Sequence, residues 1–374
     1  MKASLFGVNI VNENRGLRMR EVFCVLFLFT FFAVFAGETP PLPEKTTVSA
    51  SLDVAHAKGQ NLVWCDTFQL AWNAMGTDLC GEPVRLEGTP AFEKSMNSST
   101  VSAKDVDAES VLVKVGKVRR TFVDELNAEL KKRFRDNAPA PLKIEQKKDG
   151  PEVLAYAFLY KNLAFAKPLD KQQEPFEWRG EEGSKTPVQA FGIVQVTEKN
   201  AAVAKQIQLI NNQRGEYIIE LKSKSDADHL ILAQVKPGAT LKDTLETVRK
   251  IVAKPAHAPF AIERTDSCLV PCVEVALERA FDEIIWKNFL NARLKHEGYF
   301  VGDARQNIRF KLDETGAVLV SEARYQASKN GHQPRNIEFD RPFLLYMQRE
   351  KAENPYLAIW FENPNLLVKA EARK

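Results

Sequence analysis

The side chains best suited to chemistry are the cysteines and histidines, and neither set has a catalytic arrangement. Cys24 sits in an apolar N-terminal run, which leaves Cys65, Cys80, Cys268 and Cys272. An even set of four in an oxidising compartment reads as disulfides, with free buried thiols as the next alternative. Proximity along the chain favours Cys65–Cys80 and Cys268–Cys272 among the three possible connectivities. A metal site is disfavoured. Three residues separate Cys268 from Cys272, no second pair lies nearby, and His257 is the closest imidazole, so neither a metal nor another cofactor is expected. His56, His229, His257, His296 and His332 are scattered among polar segments. No Gly-x-Ser-x-Gly elbow, His-Glu-x-x-His pair or phosphate loop occurs, and an enzyme is not expected. Asn97-Ser98-Ser99 is a glycosylation sequon, with Asn97 as the acceptor if the host glycosylates its secreted proteins.

These residues reach an oxidising compartment only if the chain is exported. Arg18 and Arg20 flank an apolar run from Val22 to Ala36, and Val34 and Ala36 place small residues where a signal peptidase reads. The run falls short of the roughly 20 residues that span a bilayer. Residues 1–36 are therefore expected to be a cleaved signal peptide, with no membrane association afterwards. The mature protein should be secreted or extracellular, or periplasmic in a bacterium. A hydrophobic share of 44% and a charged share of 27% fit an ordinary folded domain. A net charge of +3 is too small to argue for nucleic acid. Pro-, Thr- and Ser-rich residues 37–60 are expected to be a disordered lead-in, and residues 61–374 one domain, taken to be a monomer.

Apolar periodicity outlines the elements. Thr121 to Arg135 reads as an amphipathic helix capped by Thr121, with Phe122, Leu126, Leu130 and Phe134 on one face. Val153 to Tyr160 is apolar on both faces, which marks a central strand covered on both sides. Strand patterns follow at Val188–Thr197, Tyr217–Leu221, Leu230–Val235, Asn307–Leu312, Phe343–Met347 and Tyr356–Phe361. Two helices are expected between them. One runs from Thr240 to Val252, with Leu241, Leu245 and Val248 aligned; the other runs from Glu278 to Lys295, with Phe281, Ile285, Phe289 and Leu290. Strands and helices do not alternate one for one, so the class is α+β.

The order of segments resembles the serpin family, mainly over residues 150–365. Ile337-Glu-Phe-Asp-Arg-Pro-Phe-Leu-Leu-Tyr-Met347 fits that family's C-terminal signature and is followed by Tyr356–Phe361 and Asn363-Pro364. Val153–Tyr160 with Lys161, Phe165, Pro168 and Phe176 is similar to the family's central strand and the segment after it. Ile219-Glu220-Leu221, Leu230-Ile231-Leu232 and Lys236–Leu241 resemble the strand pair and helix that come next. Leu312-Asp313-Glu314-Thr315-Gly316 looks like the hinge of a reactive loop. Departures include Ala155 for Asn, Ala164 or Phe165 for Trp, and Trp360 for Gly. The part before Val153 is shorter than in the family and lacks its Asn-x-x-x-Ser-Pro-x-Ser shutter segment.

The resemblance implies a serpin-like α+β fold: a large mixed sheet, further sheets with helices packed on them, and a shortened N-terminal helical part. It also implies a mechanism. An exposed loop near residues 317–336 is cut by a serine or cysteine protease and inserts into the large sheet, trapping the protease as an acyl-enzyme. The hinge set would be Glu314, Gly316, Ala317, Leu319, Ser321 and Ala323, whose alternate residues are small apart from Leu319. About fifteen residues on, the bait bond would involve Lys329, Asn330 or Gly331, where Asn-Gly is also a turn signal. Lys329 would suit a trypsin-like target. The alternative is a non-inhibitory serpin-fold protein that binds a partner or ligand.

Overall fold

A strand with no polar face must be covered on both sides, and Glu152–Tyr160 shows how this chain does it. The computed structural model describes residues 42–143, 151–161, 163–180, 183–213, 215–225, 227–316 and 335–370. In it, Glu152–Tyr160 lies inside a four-stranded sheet ordered Val273–Ala280, Phe300–Leu312, Glu152–Tyr160, Val111–Lys117. Side chains alternate across the pleat. Leu154, Tyr156 and Phe158 pack under helix Arg120–Phe134 with Leu126, Leu130 and Phe134. The rings of Phe134 and Phe158 meet edge-on at 4.8 Å. Val153, Ala155 and Ala157 face the opposite cluster, which holds Phe68 and Trp72 of helix Thr67–Ala74 together with Phe281 and Ile284. The large residues lie on one face and the small ones on the other, and Ala155 makes room for the helix beneath.

An eight-stranded sheet forms the rest of the core. Its order is Thr46–Ser49, Asn61–Cys65, Leu357–Phe361, Phe343–Arg349, Asp228–Gln234, Glu216–Leu221, Ile207–Gln213, Phe260–Ala261. Helix Leu241–Ala253 contributes Leu241, Leu245 and Val248 to the same core. Thr240 and Asp243 close a capping box at its start, as Ser/Thr and acidic residues at that spacing do. A further sheet contains Asn336–Glu338, Ser267–Pro271, Ala190–Ile193 and Asp170–Lys171, and Phe176–Arg179 pairs with Lys185–Val188 as a separate ribbon.

Four expectations are corrected. First, Glu278–Lys295 is not one helix. Strand Val273–Ala280 continues through Glu278, paired with Phe300–Leu312, and only Ala292–Lys295 is helical beyond it. Phe281 and Phe289 still enter the core, but from turns and bridges, so burial at a four-residue spacing imitated a helix face. Second, the lead-in is ordered where it is described. Thr46–Ser49 lies parallel to Asn61–Cys65. Third, helix Arg120–Phe134 starts after Arg119, so Thr121 does not cap it.

Fourth, all four described cysteines are free buried thiols. Cys268 lies within strand Ser267–Pro271 and Cys272 directly follows it, so the four-residue step is extended. At about 3.3 Å per residue the two Cα atoms stand roughly 13 Å apart, beyond the roughly 7 Å limit for a disulfide. Cys65 ends a strand, whereas Cys80 ends a helical stretch that begins at Thr67, whose first eight residues alone span about 12 Å. The two fall into different hydrophobic clusters. Burial pushes the Cys80 thiol up to about 11 and the Cys272 thiol up to about 12, and it also raises Cys65 and Cys268.

Candidate loop-insertion site

The site is a seam. Phe300–Leu312 and Glu152–Tyr160 are immediate neighbours and run parallel, in register from Phe300↔Glu152 to Arg309↔Tyr160, with one irregularity between Val301 and Asp303. The hinge expected from the sequence begins where the first of these strands ends. Asp313, Glu314 and Thr315 are all buried there. Asp313 accepts hydrogen bonds from the Thr315 amide at 3.0 Å and its hydroxyl at 2.6 Å, and pairs with Lys311 at 3.0 Å. Burial alone would raise the Asp313 carboxyl, but these Thr315 donors and Lys311 outweigh it and hold the group below its ordinary value. The carbonyls of Thr315 and Glu314 accept from the amides of Phe165 and Leu169 at 2.9 and 2.7 Å. The strand end is thus tied to residues 163–169.

Gly316 closes this anchored part. Its φ is +76°, and a Cβ there would lie 2.3 Å from the Leu163 carbonyl oxygen and 2.5 Å from the Phe165 amide nitrogen. Only glycine fits both the left-handed backbone and the close approach. Ala317, Leu319, Ser321, Ala323, Lys329, Asn330 and Gly331 lie outside the described residues.

The chain is anchored again at Arg335. Its amide donates to the fully buried Asp266 carboxylate at 3.0 Å, and its carbonyl accepts from the Ser267 amide at 2.8 Å. Asn336–Glu338 then pairs parallel with Ser267–Leu269. Leu312 faces Val273, and Asn336 faces Ser267. Six extended steps join Ser267 to Val273, and with one cross-strand step of about 5 Å at each end they limit the spacing between Leu312 and Asn336 to roughly 30 Å.

Beneath the seam lies a polar contact that sequence reading did not find. Gln306 is buried at the middle of Phe300–Leu312, and its amide nitrogen donates to Thr67 Oγ1 at 2.7 Å and to the Cys65 carbonyl at 3.1 Å. The expected shutter segment is absent, yet the strand is still clasped to the start of a helix. A buried glutamine within an alternating pattern looks like a solvent-facing residue, so the only available signal was its position between Ala304 and Ile308. Asn97, the sequon residue, ends helix Pro90–Asn97. Its side-chain oxygen accepts from Trp72 Nε1 at 2.7 Å and its amide donates to the Val84 carbonyl at 3.0 Å.

Among solved structures, human glycosylated kallistatin is similar at 13% identity, covering 82% of this chain and 92% of that one, with a TM-score of 0.50. Serpin48 of the insect Tenebrio molitor, a highly specific serpin, is 11% identical over 82% of this chain and 92% of its own, with a TM-score of 0.48. No family model matches the sequence, and no curated protein matches it. The chain has the serpin fold, in a divergent form whose N-terminal helical part is short. At this identity the likeness is one of fold. Among the described residues no helix is long and apolar enough to cross a membrane.

Proposed function

We infer that the protein is a suicide-type inhibitor of a serine or cysteine protease, exported by the N-terminal apolar segment. The observation that carries this reading is the parallel seam. A segment continuing past Gly316 and folding back between Phe300–Leu312 and Glu152–Tyr160 would run antiparallel to both strands. One parallel ladder would be exchanged for two antiparallel ones, which are more stable per residue and twice as many. Before cleavage the tether at Arg335 opposes that exchange, since the chain must reach Asn336 in another sheet. Cutting the loop removes the tether, and the difference in free energy becomes available to drag an attached protease. Asp313, Glu314 and Thr315 stay fixed, and the turn begins at Gly316. Ala317, Ser321 and Ala323 would then enter the interior as small residues, with Leu319 the bulky member.

The target reading rests on Lys329, whose cation suits the acidic pocket of a trypsin-like protease. The test is to mix purified protein with trypsin, look for a complex that survives SDS, and melt the loop-nicked protein beside the intact one. The expected result is a covalent complex and a nicked form that melts well above the intact protein. Each kcal/mol gained raises the melting temperature by roughly 2–4 °C in a domain of 150–250 residues. Ala317→Arg would place a charge in the sheet interior and should abolish both effects. Identical melting of nicked and intact protein, with no complex, would give the lead to the non-inhibitory reading.

A further inference from the structure

Residues 51–57 cross the start of helix Leu241–Ala253 and supply what that helix end needs. The first amides of a helix have no partner within it. Here the Leu241 amide donates to the Val54 carbonyl at 3.0 Å and the Lys242 amide to the Leu52 carbonyl at 2.9 Å, while the Asp243 amide donates to Thr240 Oγ1 at 3.1 Å. The His56 amide returns a bond to the Ala239 carbonyl at 3.1 Å, and Ala55 and Thr240 form an antiparallel bridge. Leu52 and Val54 are partly buried against the core.

The His56 ring locks this crossing. Its Nε2 lies 2.9 Å from Thr244 Oγ1. That hydroxyl gives its one proton to the Thr240 carbonyl at 3.1 Å and accepts from the Gly238 amide at 2.8 Å, so toward His56 it can only accept. Nε2 therefore carries the proton. Nδ1 is buried with no hydrogen-bond partner among the described residues, and the ring meets Trp360 edge-on at 5.0 Å. The charged groups nearby are Asp53, which pairs with Lys242 at 3.5 Å, Lys58 two residues on, Asp243 in the capping box, and Glu362, which accepts from Trp360 Nε1 at 2.6 Å. None of them hydrogen-bonds Nδ1. Burial lowers the ring's pKa, and the Thr240 carbonyl and the Asp243 charge act against it without offsetting it.

We propose that residues 52–56 are a pH-gated strap, held on the start of helix Leu241–Ala253 while the His56 ring is neutral and released in acid, when Nδ1 takes up a proton for which the closed structure offers no acceptor. A buried N–H without an acceptor is costly, whereas the ring of an open strap is hydrated and protonates freely. The stabilisation by the neutral ring is therefore complete above about pH 6.5, the ordinary histidine value, and declines as pH falls below it. Release frees the Leu241 and Lys242 amides and uncovers Trp360, which is 1% exposed in the closed form. The device makes no use of the Gly316 hinge and is independent of protease inhibition.

The test is hydrogen–deuterium exchange of the folded protein between about pH 8 and pH 5, corrected for the pH dependence of intrinsic exchange and read by NMR at the Leu241 and Lys242 amides. The strap should open about threefold to thirtyfold more often at the acid end, the upper figure being the protonation that an ordinary histidine gains over that range. Strand Phe343–Arg349 should keep its protection, which separates release of the strap from global unfolding. His56→Gln keeps a donor toward Thr244 Oγ1 and does not titrate, so its protection at the two amides should change less than about twofold with pH. Constant protection of Leu241 and Lys242 across the range, an equal loss in His56→Gln, or an equal loss throughout Phe343–Arg349 would overturn the proposal.

Discussion

Gln306 Nε2 donates to Thr67 Oγ1 at 2.7 Å, joining a strand of the seam to the first turn of the helix below it. Both residues are fully buried, so the bond is made without competition from water. The other amide atom, Gln306 Oε1, is buried with no hydrogen-bond partner among the described residues. The two partners should therefore respond unequally to substitution. Thr67→Val keeps the shape and leaves the glutamine one acceptor short, which costs about 1–3 kcal/mol. Gln306→Leu should cost less, because it removes the orphaned oxygen together with the two bonds. Urea midpoints of the two variants check the order. Greater loss for Gln306→Leu would show that the clasp acts through packing rather than hydrogen bonding.

Asp66 gives a pH-dependent prediction. Its carboxyl is fully buried, and Oδ2 has no hydrogen-bond partner among the described residues. Burial, reinforced by the Asp105 charge, raises its pKa well above the usual carboxylate value. The folded protein therefore keeps a proton that the unfolded chain releases near pH 3.9, and stability falls as pH rises from there through the folded-state value. Asp66→Asn should be more stable than wild type at pH 7, and the advantage should vanish near pH 4. Unfolding midpoints across that range measure it. A constant difference between the two proteins at every pH would refute the assignment.

His229 should behave in a related way on the surface. Each ring nitrogen faces a carboxylate, Glu220 at 2.7 Å and Glu350 at 2.6 Å, so both must donate and the ring is an imidazolium. Its pKa is raised, first by the Glu220 hydrogen bond and then by Glu350 against the opposing effect of burial. The stabilisation is complete below about pH 6.5 and is lost as pH climbs through the raised value. Solvent screening holds it to about 0.2–1 kcal/mol. The NMR titration of the His229 ring protons should show a midpoint above the usual one, and Glu350→Gln should move it back. A midpoint unmoved by Glu350→Gln would remove that carboxylate from the account.

The thiols predict both a mass and a reactivity. Thiolate is the reactive form, and burial suppresses it at all four described cysteines. Cys65, Cys80, Cys268 and Cys272 should resist alkylation in the folded protein and react fully in urea. A reducing agent should leave the melting temperature unchanged. An intact mass lower by two hydrogens per bridge would restore the disulfide reading.

Much of the fold could be read directly from local pattern. Val153–Tyr160 is apolar at every position, which is the pattern of a strand covered on both faces. Leu241, Leu245 and Val248 align on one face through spacings of three and four residues, so the helix from Leu241 could be placed within a residue. Each of these rests on interactions among neighbours in the chain or on a single unambiguous requirement for burial.

What the tertiary structure alone decided has the opposite character. Phe281, Ile285 and Phe289 have helical spacing, but thirteen residues of Phe300–Leu312 offered Val273–Ala280 a complete ladder, and pairing across the sheet outweighed local periodicity. The cysteines are near one another in sequence and far apart in space, because an extended strand lies between one pair and a helix between the other. Gln306 became a buried clasp only when the residues at positions 65–67 were brought beneath it. Side-chain pattern specifies which surface a residue buries, but the partner it meets there depends on distant segments, and those contacts exist only in the assembled fold.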